Sequence, residues 1–199
     1  MKKSSQDDIL KDLVALAKKG DSKAYGKIFR ICYRDIYDYV VRRVRNRFDA
    51  EDLTMQVFTR GMVAVSSYEE RGHPVKAWLF RIAHNVVVDH FRAQAQKGSL
   101  VVVGDVPDTD QADIEKGIIH QEKLGDLYEE VRSLPAAQSE VLTLRFLEDM
   151  SVAETAMILD KKEVTVRALQ FKGIKNLRRR MAGETAEGNQ EKAEKAKPE

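Results

Sequence analysis

The 199-residue chain holds one cysteine, four prolines and one tryptophan, and it has no long apolar run. Each scarcity excludes something. Cys32 has no partner for an internal disulfide, and its register with Ile28, Phe29 and Ile36 is that of a buried core thiol rather than a reactive one. The histidines His73, His84, His90 and His120 have no cysteine at ligand spacing, so no metal site is expected. No stretch approaches the roughly 20 apolar residues that a spanning helix needs, so no membrane insertion is expected. MKKSSQDDIL at the N-terminus carries lysines without an apolar run behind them; no signal peptide is read, and a cytoplasmic location is expected. There is no phosphate-cradling glycine loop and no nucleophile–base pair at recognisable spacing. No catalytic residue and no cofactor is therefore assigned, and the chain is not expected to be an enzyme.

What is present is charge, locally sorted. The net charge is only +2, with 33% charged and 43% apolar residues, enough for one or two modest helical cores. Between Lys161 and Arg180, however, eight bases stand against the single acid Glu163. A charge run is ordinarily a solvated face, but such a face interleaves both signs. Here the bases follow a recognisable frame. Ser151 with Glu154 forms an S-x-x-E capping box; Ala153, Ala156 and Leu159 fall at helical spacing; DKKE at 160–163 breaks the pattern. From Val164 the period resumes, with Val166, Gly173 and Leu177 on one face and Arg167, Lys172, Lys175, Arg178 and Arg179 broadly opposite. A helix, a tight polar turn and a second helix with a one-sided basic face is the arrangement that places a recognition helix in a DNA major groove.

The fold class read from the rest of the chain is all-α: two small helical domains joined by a flexible linker. Residues 7–96 read as nearly continuous helix. The first runs from Asp7 to Lys19 and stops at Gly20. The second starts after Asp21 or Ser22 and turns Tyr25, Ile28, Phe29, Cys32, Ile36, Tyr39, Val40 and Val44 inward. The third is capped by Asp49 and runs to about Val65, and the fourth runs from near Pro74, a favoured first-turn residue, to about Gln96. Residues 98–117 hold three glycines, one proline and five acids against one base, which is linker composition. The expected divisions are a first domain over 1–97, an acidic linker over 98–120, a second domain over 121–182 and a disordered tail over 183–199, where large apolar residues are missing.

The fourth helix is two-sided. Trp78, Leu79, Ile82, Ala83, Val86, Val87, His90 and Phe91 form an apolar stripe expected to be core; Arg81, His84, Asn85, Val88, Asp89 and Arg92 lie opposite. The second set mixes guanidinium, imidazole and amide donors, a mixture suited to phosphates and unstacked bases. The preceding polar loop, SSYEERGHP at 66–74, offers Tyr68 and His73 as planar groups on which a base could stack. In the third helix, DAEDLTMQVF at 49–58, Leu53, Val57 and Phe58 supply an inward stripe. Gln56 and the acids then form an outward surface suited to a basic partner protein.

Three of these segments together carry a family resemblance. DAEDLTMQVF, AWLFRIAHNVVVDHFR (77–92), and LPAAQSEVLTLRFLEDMSVAETAMIL (134–159) followed by TVRALQFKGIKNLR (165–178) resemble bacterial sigma factors of the extracytoplasmic-function type, over roughly 10–97 and 121–181. The resemblance implies a non-catalytic, stress-responsive subunit of transcription initiation that assembles with core RNA polymerase and reads two promoter elements. DAEDLTMQVF matches the family's contact to the β′ clamp helices, implying Asp52, Gln56, Val57 and Phe58, with Asp49 and Glu51 shaping the patch. The helix from Ala77 and the loop before it match the element that melts the −10 region and flips a base into a pocket. Tyr68, His73 and Lys76 would then line or flank that pocket, and Arg81, His84, Asn85 and Arg92 would touch the strand. The helix-turn-helix matches −35 recognition. Lys161, Lys162, Thr165, Arg167, Ala168 and Lys172 would lie nearest the major groove, and Lys175, Arg178 and Arg179 would serve phosphates. The β flap of the polymerase and an anti-sigma factor are further partners the resemblance implies. A helix-turn-helix regulator acting without polymerase would leave DAEDLTMQVF and the 66–92 element unexplained.

Three departures from the family pattern stand out. Asp160 occupies the turn position where glycine is usual, and aspartate tolerates left-handed backbone. Leu169 replaces a common arginine, removing a base or phosphate donor. Gly173 sits inside a helix at a cost of about 1 kcal/mol against alanine, unless close packing requires it.

Overall fold

The structure, a computed structural model, describes residues 2–44, 46–69, 73–96 and 127–182, with side chains from residue 6 onward. The segments expected to be linker (98–120) and tail (183–199) lie outside the described residues. Among those described there is helix and no strand, in agreement with the all-α reading. Two units result: 2–96 with 153–161, and 127–152 with 162–182.

The first unit is built on α1 (Lys2–Lys18), α2 (Ser22–Val44), α3 (Arg47–Ala64), a 3-10 turn (Val65–Ser67) and α4 (Val75–Gln96). Gly20 ends α1 as its sequence position suggests. It adopts φ 91°, a left-handed conformation that glycine enters without a side-chain clash, and its N–H donates to the Ala17 carbonyl at 2.9 Å. Asp21 then caps α2, its carboxylate accepting from the N–H groups of Lys23 (2.9 Å) and Ala24 (3.1 Å). The start of α1 lies at Lys2 rather than Asp7.

Two other expectations are corrected. The cap of α3 is Asn46, not Asp49: the Asn46 side chain accepts from the N–H of Phe48 (2.9 Å) and of Asp49 (3.2 Å), so the helix begins at Arg47. Asp49 falls in the first turn, where the helix dipole favours its charge. In α4 the buried arc is turned from the expected stripe. Val75, Ala77, Leu79, Phe80, Ala83, Val86 and Val87 are buried, whereas Trp78, Ile82, His90 and Phe91 are only partly covered. The helix packs against α1, α2 and α3 together, which covers a wider arc than one neighbour would. Phe80 meets the Tyr39 ring edge-on at 5.2 Å within that arc.

Cys32 lies in this core at 1% exposure, and burial pushes its thiol from 9.0 up to about 12. The native protein should therefore leave a thiol reagent unconsumed at pH 8 and react only on unfolding. Because the unfolded thiol ionises first, stability should fall as pH rises from about 9 towards 12, by up to about 1.4 kcal/mol per pH unit. Denaturation curves across that range, with Cys32→Ala as control, measure it.

In the second unit a helical stretch at 127–132 leads through Leu134 and Pro135 to α5 (Ala136–Leu142). The α-helix does not continue to Phe146 as its periodicity suggests. It widens into a π turn (Thr143–Leu147), whose end is fastened by the Glu148 N–H on the Thr143 carbonyl at 3.1 Å. The long α7 (Glu163–Met181) crosses α5 closely at Gly173: a methyl there would sit 3.1 Å from Leu142. Close packing is thus the reason for glycine within this helix. Val131, Leu134 and Leu142 form a core on which Ile174 and Leu177 rest.

Candidate polymerase and nucleic-acid interfaces

The outward side of α3 combines fixed polar groups with uncovered apolar ones. Gln56 donates to Asp52 at 2.8 Å, and Arg47 donates to Glu51 at 3.1 Å, each one turn apart on the helix. Arg60 reaches Asp89 of α4 at 3.0 Å. Asp52, Met55, Gln56, Thr59 and Arg60 line a shallow depression. Phe48, Met55, Met62 and Val63 are all exposed, Phe48 by 81%. Val57 and Phe58 are not on this side at all. Both are buried, Phe58 against the Phe29 ring at 4.7 Å, as their inward periodicity required. Phe48, Met55 and Met62, exposed here and outside the set expected to face outward, recur at a spacing of seven residues in the sequence.

At the start of α4 the candidate DNA residues divide by exposure. Arg81, Asn85 and Arg92 are exposed on one face. His73, Lys76 and His84 are partly covered, and the Lys76 ammonium is 2.8 Å from the Asp35 carboxylate of α2. Tyr68 is largely buried and tied from three sides. Its ring lies 4.9 Å from that of Trp78, its hydroxyl donates to the His73 carbonyl at 3.2 Å, and its own carbonyl accepts from Lys18 at 2.8 Å. Tyr68 therefore serves as a wall, not a free stacking platform. Ser67, Tyr68, Glu69, His73, Trp78 and Arg81 surround a hollow of mixed polarity. Trp78, assigned to the core by periodicity, presents part of its ring there.

α6 (Val152–Ile158) is followed by a short link and α7, the element order of a helix-turn-helix. Asp160 takes φ 51° in the link, so it stands in for the expected glycine, while the Lys161 N–H closes the turn onto the Ala156 carbonyl at 2.9 Å. Ser151 directly precedes α6, and Glu154 of its first turn is buried. Lys161, Lys162, Thr165, Arg167, Ala168 and Lys172 are all exposed, as are Lys175, Arg178 and Arg179. Arg167 is paired with Glu163 at 2.8 Å on the surface. Inside the second unit Arg145 of the π turn anchors α7, donating to Gln170 at 3.0 Å and to the Met150 carbonyl. Beside it, Phe146 and Leu147 join Val131, Leu142, Ile174 and Leu177 around an open apolar groove of about 330 Å³. Among the described residues no three His, Cys, Asp or Glu side chains converge as a metal site would require.

The described residues thus hold an exposed, partly apolar face on α3, exposed polar and basic side chains on α4 and a basic face on α7. Comparison with known proteins gives the class. Residues 28–97 match Sigma-70 region 2, and residues 131–179 match Sigma-70, region 4. The chain is 31% identical over 156 residues to the ECF RNA polymerase sigma factor SigX of Bacillus subtilis, covering 75% of this chain and 79% of SigX. It is 32% identical over 170 residues to the ECF RNA polymerase sigma factor BldN of Streptomyces coelicolor, covering 84% of this chain but only 64% of BldN. In fold it resembles the sigma factor RpoE of Bartonella quintana, solved in complex with the anti-sigma factor NepR, with a TM-score of 0.65 at 19% identity over 78% of this chain and 94% of that one. The chain belongs to the extracytoplasmic-function group of the sigma-70 family of RNA polymerase sigma factors.

Proposed function

We propose that this chain directs promoter-specific transcription initiation by bacterial RNA polymerase, working in the cytoplasm and performing no chemistry of its own. The observation that carries this is the sorting of exposed side chains onto three separate helices. An apolar and acidic face on α3 suits docking on the β′ clamp helices. A row of Arg81, Asn85 and Arg92 on α4 suits the separated −10 strand, with the hollow beside Trp78 suited to a flipped base. The basic face of α7 suits the −35 duplex. A regulator that binds DNA alone leaves the first two without purpose. The same sorting supports the assignment of residues 1–97 to core binding and −10 melting and of 121–182 to −35 reading; the linker over 98–120 rests on its composition alone. In the docking surface, Asp52 and Gln56 stay as contacts, Met55 and Phe48 join them, and Val57 and Phe58 act from beneath as core support.

The open groove next to Phe146 fits an apolar helix of the polymerase β flap. An anti-sigma factor remains part of the proposal, since RpoE of Bartonella quintana is solved with one. The test is transcription in vitro from a genomic fragment library by core polymerase with and without the chain. Factor-dependent transcripts sharing upstream −35 and −10 elements are expected; no transcripts together with no binding to core would end the sigma reading. On such promoters, Arg167→Ala should reduce discrimination among −35 sequences, whereas Lys175→Ala should weaken binding evenly and flatten the salt dependence by about one phosphate contact. Identical effects of both variants on every promoter would contradict that division.

A further inference from the structure

The side of α7 that faces away from its core is not uniformly basic. Its buried side is marked by Val166 and Gly173. Directly opposite, at steps of three and four residues, come Val164, Ala168 and Phe171. All three are exposed, Val164 by 68% and Phe171 by 72%. Over these two turns Arg167 lies to one side of the strip and Lys172 to the other; Lys175 takes the same line at the next step, with Arg178 and Arg179 about it. An exposed aromatic by itself needs no explanation. An apolar strip along the first half of a cationic helix face is a different matter, because it says what each part meets. The flanking cations suit the phosphates and base edges at the walls of the groove. The centre then faces the floor of the major groove, where the thymine C5 methyl is the apolar group on offer.

Resting on the −35 reading of this helix, we propose that Val164 and Phe171 determine promoter specificity by packing on thymine methyl groups, so that the upstream element is read substantially through methyl contacts. The seven residues from Val164 to Phe171 advance about 10 Å along the helix at 1.5 Å each. The two contacted thymines should therefore lie about three base steps apart at 3.4 Å per step. The absence of an arginine at Leu169, which is half-buried, fits the same shift from hydrogen-bonded to apolar reading.

The test uses the full chain assembled with core polymerase. An upstream element is enriched from a pool of random duplexes, and each of its thymines is then replaced by deoxyuridine, which pairs identically but lacks the methyl. The wild-type holoenzyme should lose about fourfold in affinity per contacted methyl, the factor that corresponds to one buried carbon. Phe171→Ala should bind the thymine and uracil duplexes at its position alike, and Phe171→Leu should retain part of the preference. Circular dichroism of both variants should match wild type, given the exposure of the side chain. Indifference of the wild type to every uracil, or undiminished methyl preference in Phe171→Ala, overturns the inference while leaving −35 recognition standing. Failure to enrich any upstream element removes the −35 reading itself, and this inference with it.

Discussion

Met55→Asp should strongly weaken assembly with core polymerase and leave the fold intact. Met55 is half exposed on α3, one turn after Asp52 and next to its partner Gln56, with Phe48 and Met62 one heptad away on either side. Apolar side chains held at an exposed helical spacing, rimmed by fixed polar groups, are the usual centre of a protein interface. A carboxylate placed there would be desolvated on docking without a partner, which costs several kcal/mol. Affinity for core should therefore fall by at least about 30-fold, the scale of a hot-spot residue. Thermal stability should change by no more than about 0.5 kcal/mol, as is usual for a surface site. Val57→Ala should behave in the opposite sense. Its side chain is wholly buried, so truncation should cost about 1–2 kcal/mol of stability and affect core binding only through that loss. Equilibrium binding to core measured beside denaturant melts separates the two. Unimpaired binding by Met55→Asp would exclude this face of α3 as the docking surface.

The largest effect on stability is expected from one methyl group at Gly61. An ideal Cβ there would stand 2.6 Å from the Tyr25 hydroxyl and 3.3 Å from Leu79. That hydroxyl is buried and donates to the Phe58 carbonyl at 2.6 Å. Burial holds the Tyr25 phenol well above its usual value, so it stays a donor throughout the working pH range. Gly61→Ala must therefore displace either the ring or the hydrogen bond. Overpacking costs roughly 1–3 kcal/mol and the lost bond about 1 more, against a helix-propensity gain of about 1. The net loss should be about 2 kcal/mol, read as a lowered denaturation midpoint. Tyr25→Phe removes the atom in the way. The double variant should recover at least about 1 kcal/mol relative to the sum of the single ones, a coupling that a contact pair must show. Additive losses would mean that the Tyr25 hydroxyl is not what Gly61 accommodates.

The sequence by itself determined what rests on local chemistry. The stop of α1 at Gly20 and the cap of α2 at Asp21 were legible because a left-handed glycine and a capping carboxylate act within a few residues. The burial of Cys32 and the inward stripe of α2 followed from periodicity. Asp160 in the turn and Gly173 at a close approach were marked by their departure from the usual residue. The family was legible because three motifs stood in the right order and spacing. Tertiary structure alone decided which arc of each helix its neighbours cover. Phe80 replaced Trp78 in the core because α4 is packed against three helices and not one. Asn46 took the cap from Asp49 because only one side chain can reach the first free N–H groups, and the neighbouring aspartate gives the same signal in a sequence. Val57 and Phe58 lie in the core and Met55 is exposed beside them, because a motif marks a segment, whereas packing selects which side of that helix stays uncovered.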